Sequence, residues 1–358
     1  MALLYMDGFD VQDAALKWTQ TGVAGDYTYA APTRFNSGKA LTINATGTNA
    51  AASIIRSIPA SSSIYMGAAI QVGLEFDATN ANHTANLFGI HTDNGATGHV
   101  YIRRLSTGSI VVYRGDPANG NFGAPSGVQI AASSAGTLDG NWHYVEVYAL
   151  VHDSTGKVIV KVDGVTVIDF TGDTRNAGTS TNIDMIRFRT GRYISGPNAV
   201  INIDDLYVCD ATGSTNNTFL GDVRVQTMLP NAAGSSTQLA PTGSGNNWAN
   251  VGEVPYNNAT YNASATVGQR DTYALSDLTA GTTAIMGLQT TAHMQKSDAG
   301  VANARVAVKS GASVYYDATR SLGTSVAAYT QVRETDPATA VAWTVSGANA
   351  LEAGMEVA

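Results

Sequence analysis

An all-β protein built from two sandwich domains is the fold class this sequence predicts, and three observations predict it. Short strand candidates recur at close intervals between clusters of Gly, Pro, Asn and Asp, the spacing of a sandwich or barrel. An Asp-Gly pair sits between two valine-rich alternating runs, a strong short-range hairpin signal. No window sustains the 3.6-residue apolar stripe of an amphipathic helix. Composition agrees: only 13% of residues are charged while 44% are hydrophobic, and 358 residues suffice for two cores.

The N-terminal elements follow in order. Ala2 to Phe9 alternates weakly and enters the turn Asp7-Gly8-Phe9-Asp10. Further strands are expected at Ala40 to Ile43, Ser53 to Ile58, Tyr65 to Phe76, Asn86 to His91, His99 to Arg104, Ser109 to Arg114 and Gln129 to Ala131. Between them, Asp93-Asn94-Gly95 and Asp116-Pro117-Ala118-Asn119-Gly120 are turns, because Gly, Asn and Asp tolerate positive φ and Pro presets its own. Asn141 to Val151 alternates as a half-buried strand should. Its expected neighbour is the hairpin of Lys157 to Val162 and Val165 to Phe170 around Asp163-Gly164, a type I′ turn.

After Val208 the stretch 211–218 is polar and turn-rich, and it reads as a linker between domains 1–210 and 219–358. The second domain is expected to form strands at Phe219 to Leu229, Thr272 to Leu275, Ala284 to Gln295, Ala304 to Ser310, Val314 to Tyr316, Tyr329 to Glu334 and Ala350 to Val357. Two windows read as short helices, Asp13 to Lys17 and Thr272 to Ser276. Pro230 to Tyr261 reads as a long irregular loop; with Trp248, Tyr256 and Tyr261 it is the candidate contact surface.

Charge narrows the partners. A formal net charge of −8 without a basic stripe argues against nucleic acid. No run approaches the roughly 18 apolar residues of a membrane span, so no membrane insertion is expected. Met1 to Asp7 lacks the features of a secretory leader, so synthesis in the cytoplasm is expected. The single cysteine, Cys209, reads as a small buried side chain. Stability must therefore come from cores and subunit contacts, which points to a homo-oligomer.

Asn141-Trp142-His143-Tyr144-Val145-Glu146, the Asp163-Gly164 hairpin, Thr171-Gly172-Asp173-Thr174, Ile183 to Phe188 and Ile203-Asp204-Asp205-Leu206-Tyr207-Val208 together resemble the laminin-G/concanavalin A-like superfamily. The resemblance covers residues 1–210. It implies a curved two-sheet jelly roll whose final strand pairs near the first. Gly221 to Asn231, Gly268 to Leu275, and Tyr329 to Pro337 with Ala342-Trp343-Thr344 resemble a domain of tailed-phage virion proteins. That likeness implies a tail, fibre or head-decoration component on the virion exterior, in contact with other virion proteins.

Retaining glucanases of the superfamily carry Glu-x-Asp-x-(x)-Glu on one strand, placing carboxylates about 5 to 5.5 Å apart. The chain has no such triplet, and Glu75/Asp77 and Asp204/Asp205 lack a third partner. Alginate-lyase relatives would show Gln-Ile-His where this chain has Gly89-Ile90-His91. The expectation is therefore a protein without catalytic residues, not an enzyme. His83, His91 and His99 read as loop or strand-end side chains, Arg103-Arg104 as an ordinary strand feature, and Asp204-Asp205 as a strand-end hydrogen-bonding device. No cofactor or metal is expected; oxygen ligands at Asn80/Asn82 and Asp93/Asn94 make calcium the one alternative. Trp18, Tyr27, Tyr29, Tyr101, Tyr113 and Tyr193 are aromatics suited to sugar stacking, of which Tyr101, Tyr113 and Tyr193 are the candidate glycan platforms. The leading expectation is a virion structural protein acting by protein contact and host-glycan adhesion. The alternatives are a soluble carbohydrate-binding adhesin and a polysaccharide-degrading enzyme.

Overall fold

Alternating residues become strands wherever one face has an apolar layer to bury. In the computed structural model of the chain, the all-β class holds. It describes residues 2–29, 33–35, 38–47, 51–73, 84–92, 95–116, 127–191 and 200–358. Two compact units are present: Ala2–Asp10 with Trp18–Val225, and Val11–Lys17 with Gln226–Ala358.

The larger unit begins with β1 (Leu3–Asp7), β2 (Thr19–Thr21), β3 (Tyr27–Thr28), β4 (Leu41–Asn44), β5 (Ala51–Ser61) and β6 (Ser63–Val72). There follow β7 (Thr84–Thr92), β8 (Thr97–Arg104), β9 (Ile110–Arg114), β10 (Val128–Ala132) and β11 (His143–Leu150). It ends with β12 (Gly156–Val162), β13 (Val165–Gly172), β14 (Ile183–Gly191) and β15 (Val200–Asp210). An eight-stranded sheet runs β13-β12-β11-β6-β15-β4-β3 with β1 beside β15, and a seven-stranded sheet runs β10-β9-β8-β7-β14-β5-β2. Leu3 pairs with Cys209 and Asp7 with Leu206, so the last strand lies beside the first. Asp163 (φ 49°) and Gly164 (φ 79°) both adopt positive φ, as the type I′ turn requires.

Leu41, Ile43, Met66, Ala68, Ile70, Val160 and Ile203 of the eight-stranded sheet are buried. So are Ile54, Phe88, Ile90, Val100, Ile102, Ile186 and Phe188 of the seven-stranded one. Phe188 meets Phe88 at 5.1 Å and Trp18 at 6.0 Å between ring centroids. The Trp18 indole donates to Asp7 at 2.9 Å, and Tyr5 donates to the same oxygen, which satisfies a carboxylate held in the interior.

The expected strand Phe219 to Leu229 does not form. Instead residues 219–225 lie over the outer face of the eight-stranded sheet and bond to its side chains. Leu220 N–H donates to the Tyr207 hydroxyl (3.1 Å), Gly221 N–H to Glu146 (2.9 Å) and Val225 N–H to Asp205 (2.7 Å). Side-chain acceptors thus replace a strand ladder for this backbone.

The smaller unit contains α1 (Ala14–Lys17), β16 (Pro230–Thr237), β17 (Ala240–Thr242), α2 (Asn247–Val251), β18 (Tyr261–Ala263) and β19 (Arg270–Leu275). Its remaining elements are β20 (Leu288–Met294), β21 (Asn303–Ser310), β22 (Ser313–Tyr316), β23 (Arg320–Ser321), β24 (Ala327–Arg333), α3 (Val345–Asn349) and β25 (Glu352–Val357). Its main sheet runs β16-β19-β25-β21-β22 with β23 on β21; β17-β18 and β20-β24 form two ribbons. Pro230 to Tyr261 is therefore not irregular. Buried Asp271 organises it, accepting from the Gln238 and Leu239 amides (2.6 and 2.9 Å), from Asn247 (2.6 Å) and from Tyr273 (2.9 Å). Thr272 to Ser276, read as a helix, is mostly β19: paired on both sides by β16 and β25, it gains more bonds than one isolated helical turn offers. The Asp13 to Lys17 helix does form, as α1, and buried Asp13 bonds Lys17 (2.7 Å) and His293 (2.9 Å).

Candidate functional site

In a two-layer sandwich, residues of one parity fill the core and those of the other parity point away from it. On the seven-stranded sheet the second set is polar. Register places Arg189, Asn86 and Arg103 in one row across β14, β7 and β8. Arg187, Gly89, Tyr101 and Tyr113 form the next row, extended to β9, and Met185 lies opposite His91 beyond it. A bulge in β7 between Asn86 and Phe88 inserts one residue. That extra residue brings even-numbered Asn86 to the same face as Gly89 and His91, which strict alternation would not do.

Asn86 is 1% exposed and His91 4%. The Tyr101 hydroxyl and His91 Nε2 are 3.1 Å apart. Arg189 donates to Asp116 at 3.2 Å. Among the described residues, both polar atoms of the Asn86 amide, and Nε of Arg187, lack a hydrogen-bond partner. Gly89 lets Tyr101 and His91 close over the middle of the face: a Cβ there would stand 3.1 Å from the Tyr101 ring and 3.2 Å from His91 Nε2.

Burial, and then the Arg187 charge, push the His91 imidazolium down to about 4, so the ring is neutral at pH 7. Burial and the nearby Asp116 push the Tyr101 phenol up. Burial also lowers Arg103 and Arg189, the latter with Arg187 as a second cause. The arrangement offers clustered guanidinium donors, an amide, and a neutral imidazole paired with a phenol. It can hydrogen-bond a polyhydroxylated or anionic ligand, with the neutral imidazole and the phenol paired to each other.

The sequence-derived candidates fall in several places. Tyr101 and Tyr113 share this face and a small cluster with Val111; they are 1% and 8% exposed, so their rings are covered. Tyr193, His83, Asn80/Asn82 and Asp93/Asn94 lie outside the described residues. Tyr256 and Tyr261 are exposed, Trp248 sits half-buried in α2, and Tyr256 meets His293 edge-on at 5.3 Å. His91 and His99 lie in β7 and β8 and Arg103 in β8, as strand or strand-end residues, and all three are buried. Arg187, Arg189 and Asn86 were not singled out. Two arginines flanking Phe188 at strand spacing was the available signal.

Asp204-Asp205 is not at a strand end. It occupies a bulge within β15, with Asp205 at φ 51°, its amide donating to Asp204 at 2.8 Å. Burial, then mutual repulsion, raises Asp204; burial alone leads for Asp205, opposed by the Val225 amide and Arg34. Arg34 bridges Asp205 and Asp222.

Fold and face together define a jelly-roll sandwich with one polar sheet face turned away from the core. No family model matches the chain, and no curated protein matches it. Solved structures do. Cip1, a cellulose-induced protein, is 12% identical over 61% of this chain and 100% of its own (TM-score 0.43). An alginate lyase, vAL-1, from a Chlorella virus is 13% identical over 58% and 98% (0.41). A sialidase is 15% identical over 57% of this chain but only 18% of its own (0.40). At such identities the likeness concerns fold alone. The expectation that the chain is not an enzyme is nonetheless overturned, since alginate lyases and a sialidase are among the proteins sharing that fold. The missing Glu-x-Asp-x-(x)-Glu triplet tests just one of the chemistries this architecture hosts.

Proposed function

We propose that this chain is a carbohydrate-binding β-sandwich protein whose site is the polar face of the seven-stranded sheet, the one turned away from the core. One observation carries the reading: a buried sheet face holds Asn86, whose amide has no partner among the described residues, beside the hydrogen-bonded pair His91 and Tyr101. Leaving such groups unmatched costs about 1–3 kcal/mol each, and sugar hydroxyls, both donors and acceptors, are suited to matching them. Affinity electrophoresis of the full chain through gels containing a panel of polysaccharides tests it. Retardation by at least one polymer, abolished by Asn86→Ala or Tyr101→Phe, is expected; retardation unchanged in both variants would move the site elsewhere.

The setting we propose is the exterior of a tailed-phage particle, with the chain a homo-oligomer among other virion proteins and the sandwich turned to host glycan. Its support is the resemblance of Gly221 to Asn231 and Tyr329 to Pro337 to virion domains. Immunogold labelling of particles with serum against residues 226–358 checks it, and unlabelled particles would leave a soluble binder.

A further inference from the structure

We propose that His143 is a pH-operated staple: as an imidazolium it ties the tip of the β12–β13 hairpin to the turn preceding β11, and on losing a proton it lets the tip go. Its Nδ1 lies 2.7 Å from an oxygen of Asp163, the first residue of the type I′ turn, and its Nε2 lies 3.0 Å from an oxygen of Asp139. A neutral imidazole has one N–H and one lone pair. In either tautomer a lone pair would face a carboxylate oxygen at one of these contacts, which is repulsive. The doubly protonated ring donates to both.

Both carboxylates are held in place by other bonds. Asp163 accepts the Tyr144 amide on its second oxygen (2.8 Å), and its own amide donates to the Tyr144 carbonyl (2.9 Å). Asp139 accepts from the amide and the side chain of Asn141, both at 2.9 Å; the Asn141 amide and then His143 hold it down to about 2, so it stays ionised. Register sets apolar Ile70 of β6 opposite His143. Lys161 of β12 lies over the Phe219 ring (4.3 Å), and Arg104, beyond Asp139, donates to the Leu138 carbonyl (3.2 Å). Burial by itself would favour the neutral ring, but Asp163 and Asp139 together outweigh it and raise His143 above the ordinary 6.5. The staple is therefore complete below pH 6.5 and is lost as pH rises through the raised value. Because β13 ends its sheet among the described residues, no outer strand takes over the hold on the tip.

NMR of the full chain from about pH 5 to about pH 9 tests the staple, reading the His143 ring shift and the exchange protection of the Tyr144 and Asp163 amides. A His143 midpoint above 6.5 is expected, with protection at both amides falling several-fold as the ring titrates. Asp163→Asn keeps the turn, since Asn-Gly suits type I′, and should bring the midpoint back toward 6.5. Asp204 and Asp205 have raised values too, and the Tyr144 hydroxyl donates to the Asp205 carbonyl (3.0 Å). Any change they cause persists in His143→Gln, whereas the part owed to the staple disappears there. A wild-type midpoint at or below 6.5, a midpoint unmoved in Asp163→Asn, or protection that falls equally in wild type and His143→Gln overturns the proposal.

Discussion

Phe188 and Arg187 are neighbours in β14 that face opposite ways, and exchanging each tests the division of the seven-stranded sheet into a core face and a site face. Phe188 is fully buried between Phe88 and Trp18. Phe188→Ala removes the ring from a close-packed layer and leaves a cavity, a change costing about 3–5 kcal/mol. Arg187 is half-buried on the other face, and its Nε has no hydrogen-bond partner among the described residues. Arg187→Gln should change stability by no more than about 1 kcal/mol, because it touches none of the features whose loss is expensive. Urea unfolding followed by tryptophan fluorescence measures both; Trp18 reports directly on the Phe188 layer. Binding assays should give the reverse order, with Phe188→Leu near wild type and Arg187→Gln impaired. A loss of several kcal/mol in Arg187→Gln would refute the argument, showing that the arginine holds the sandwich together.

The remaining predictions concern titration and the segment over the other sheet. His91 has its folded-state value lowered from 6.5 to about 4, so its contribution is complete above pH 6.5 and is lost as pH falls toward 4. The shift corresponds to about 3 kcal/mol, and a His91→Asn variant should show a shallower acid limb in its melting temperature against pH. The Asp204-Asp205 pair has the opposite sign. Its folded-state values are raised, so stability is lost as pH rises from the ordinary carboxylate range through them. Asp204→Asn keeps the acceptor for the Asp205 amide and should raise the melting temperature at pH 8 while leaving it unchanged at pH 4. Glu146, 1% exposed, accepts from Tyr207 at 2.5 Å and from Gly221 at 2.9 Å. Glu146→Ala strands both donors, should cost about 3 kcal/mol, and should speed tryptic cleavage at Arg224; an unchanged cleavage rate would separate Glu146 from the 219–225 segment.

Local pattern was enough for most strands, because period-two alternation and turn chemistry act within a few residues. The Asp163-Gly164 hairpin, the Ile203 to Val208 strand and the buried place of Cys209 were all legible that way. Phe219 to Leu229 was misread because an alternating segment looks the same whether its amides find a ladder or, as here, Tyr207, Glu146 and Asp205. The candidate site was largely illegible for a related reason. His91, Tyr101, Arg103 and Arg187 are separated by up to 96 residues (187 − 91), and a one-residue bulge in β7 is what turns Asn86 to their side. By itself the sequence determined the fold class, through short-range steric and hydrophobic patterns. Which polar side chains share a face was decided by strand register, a property of the assembled sheet.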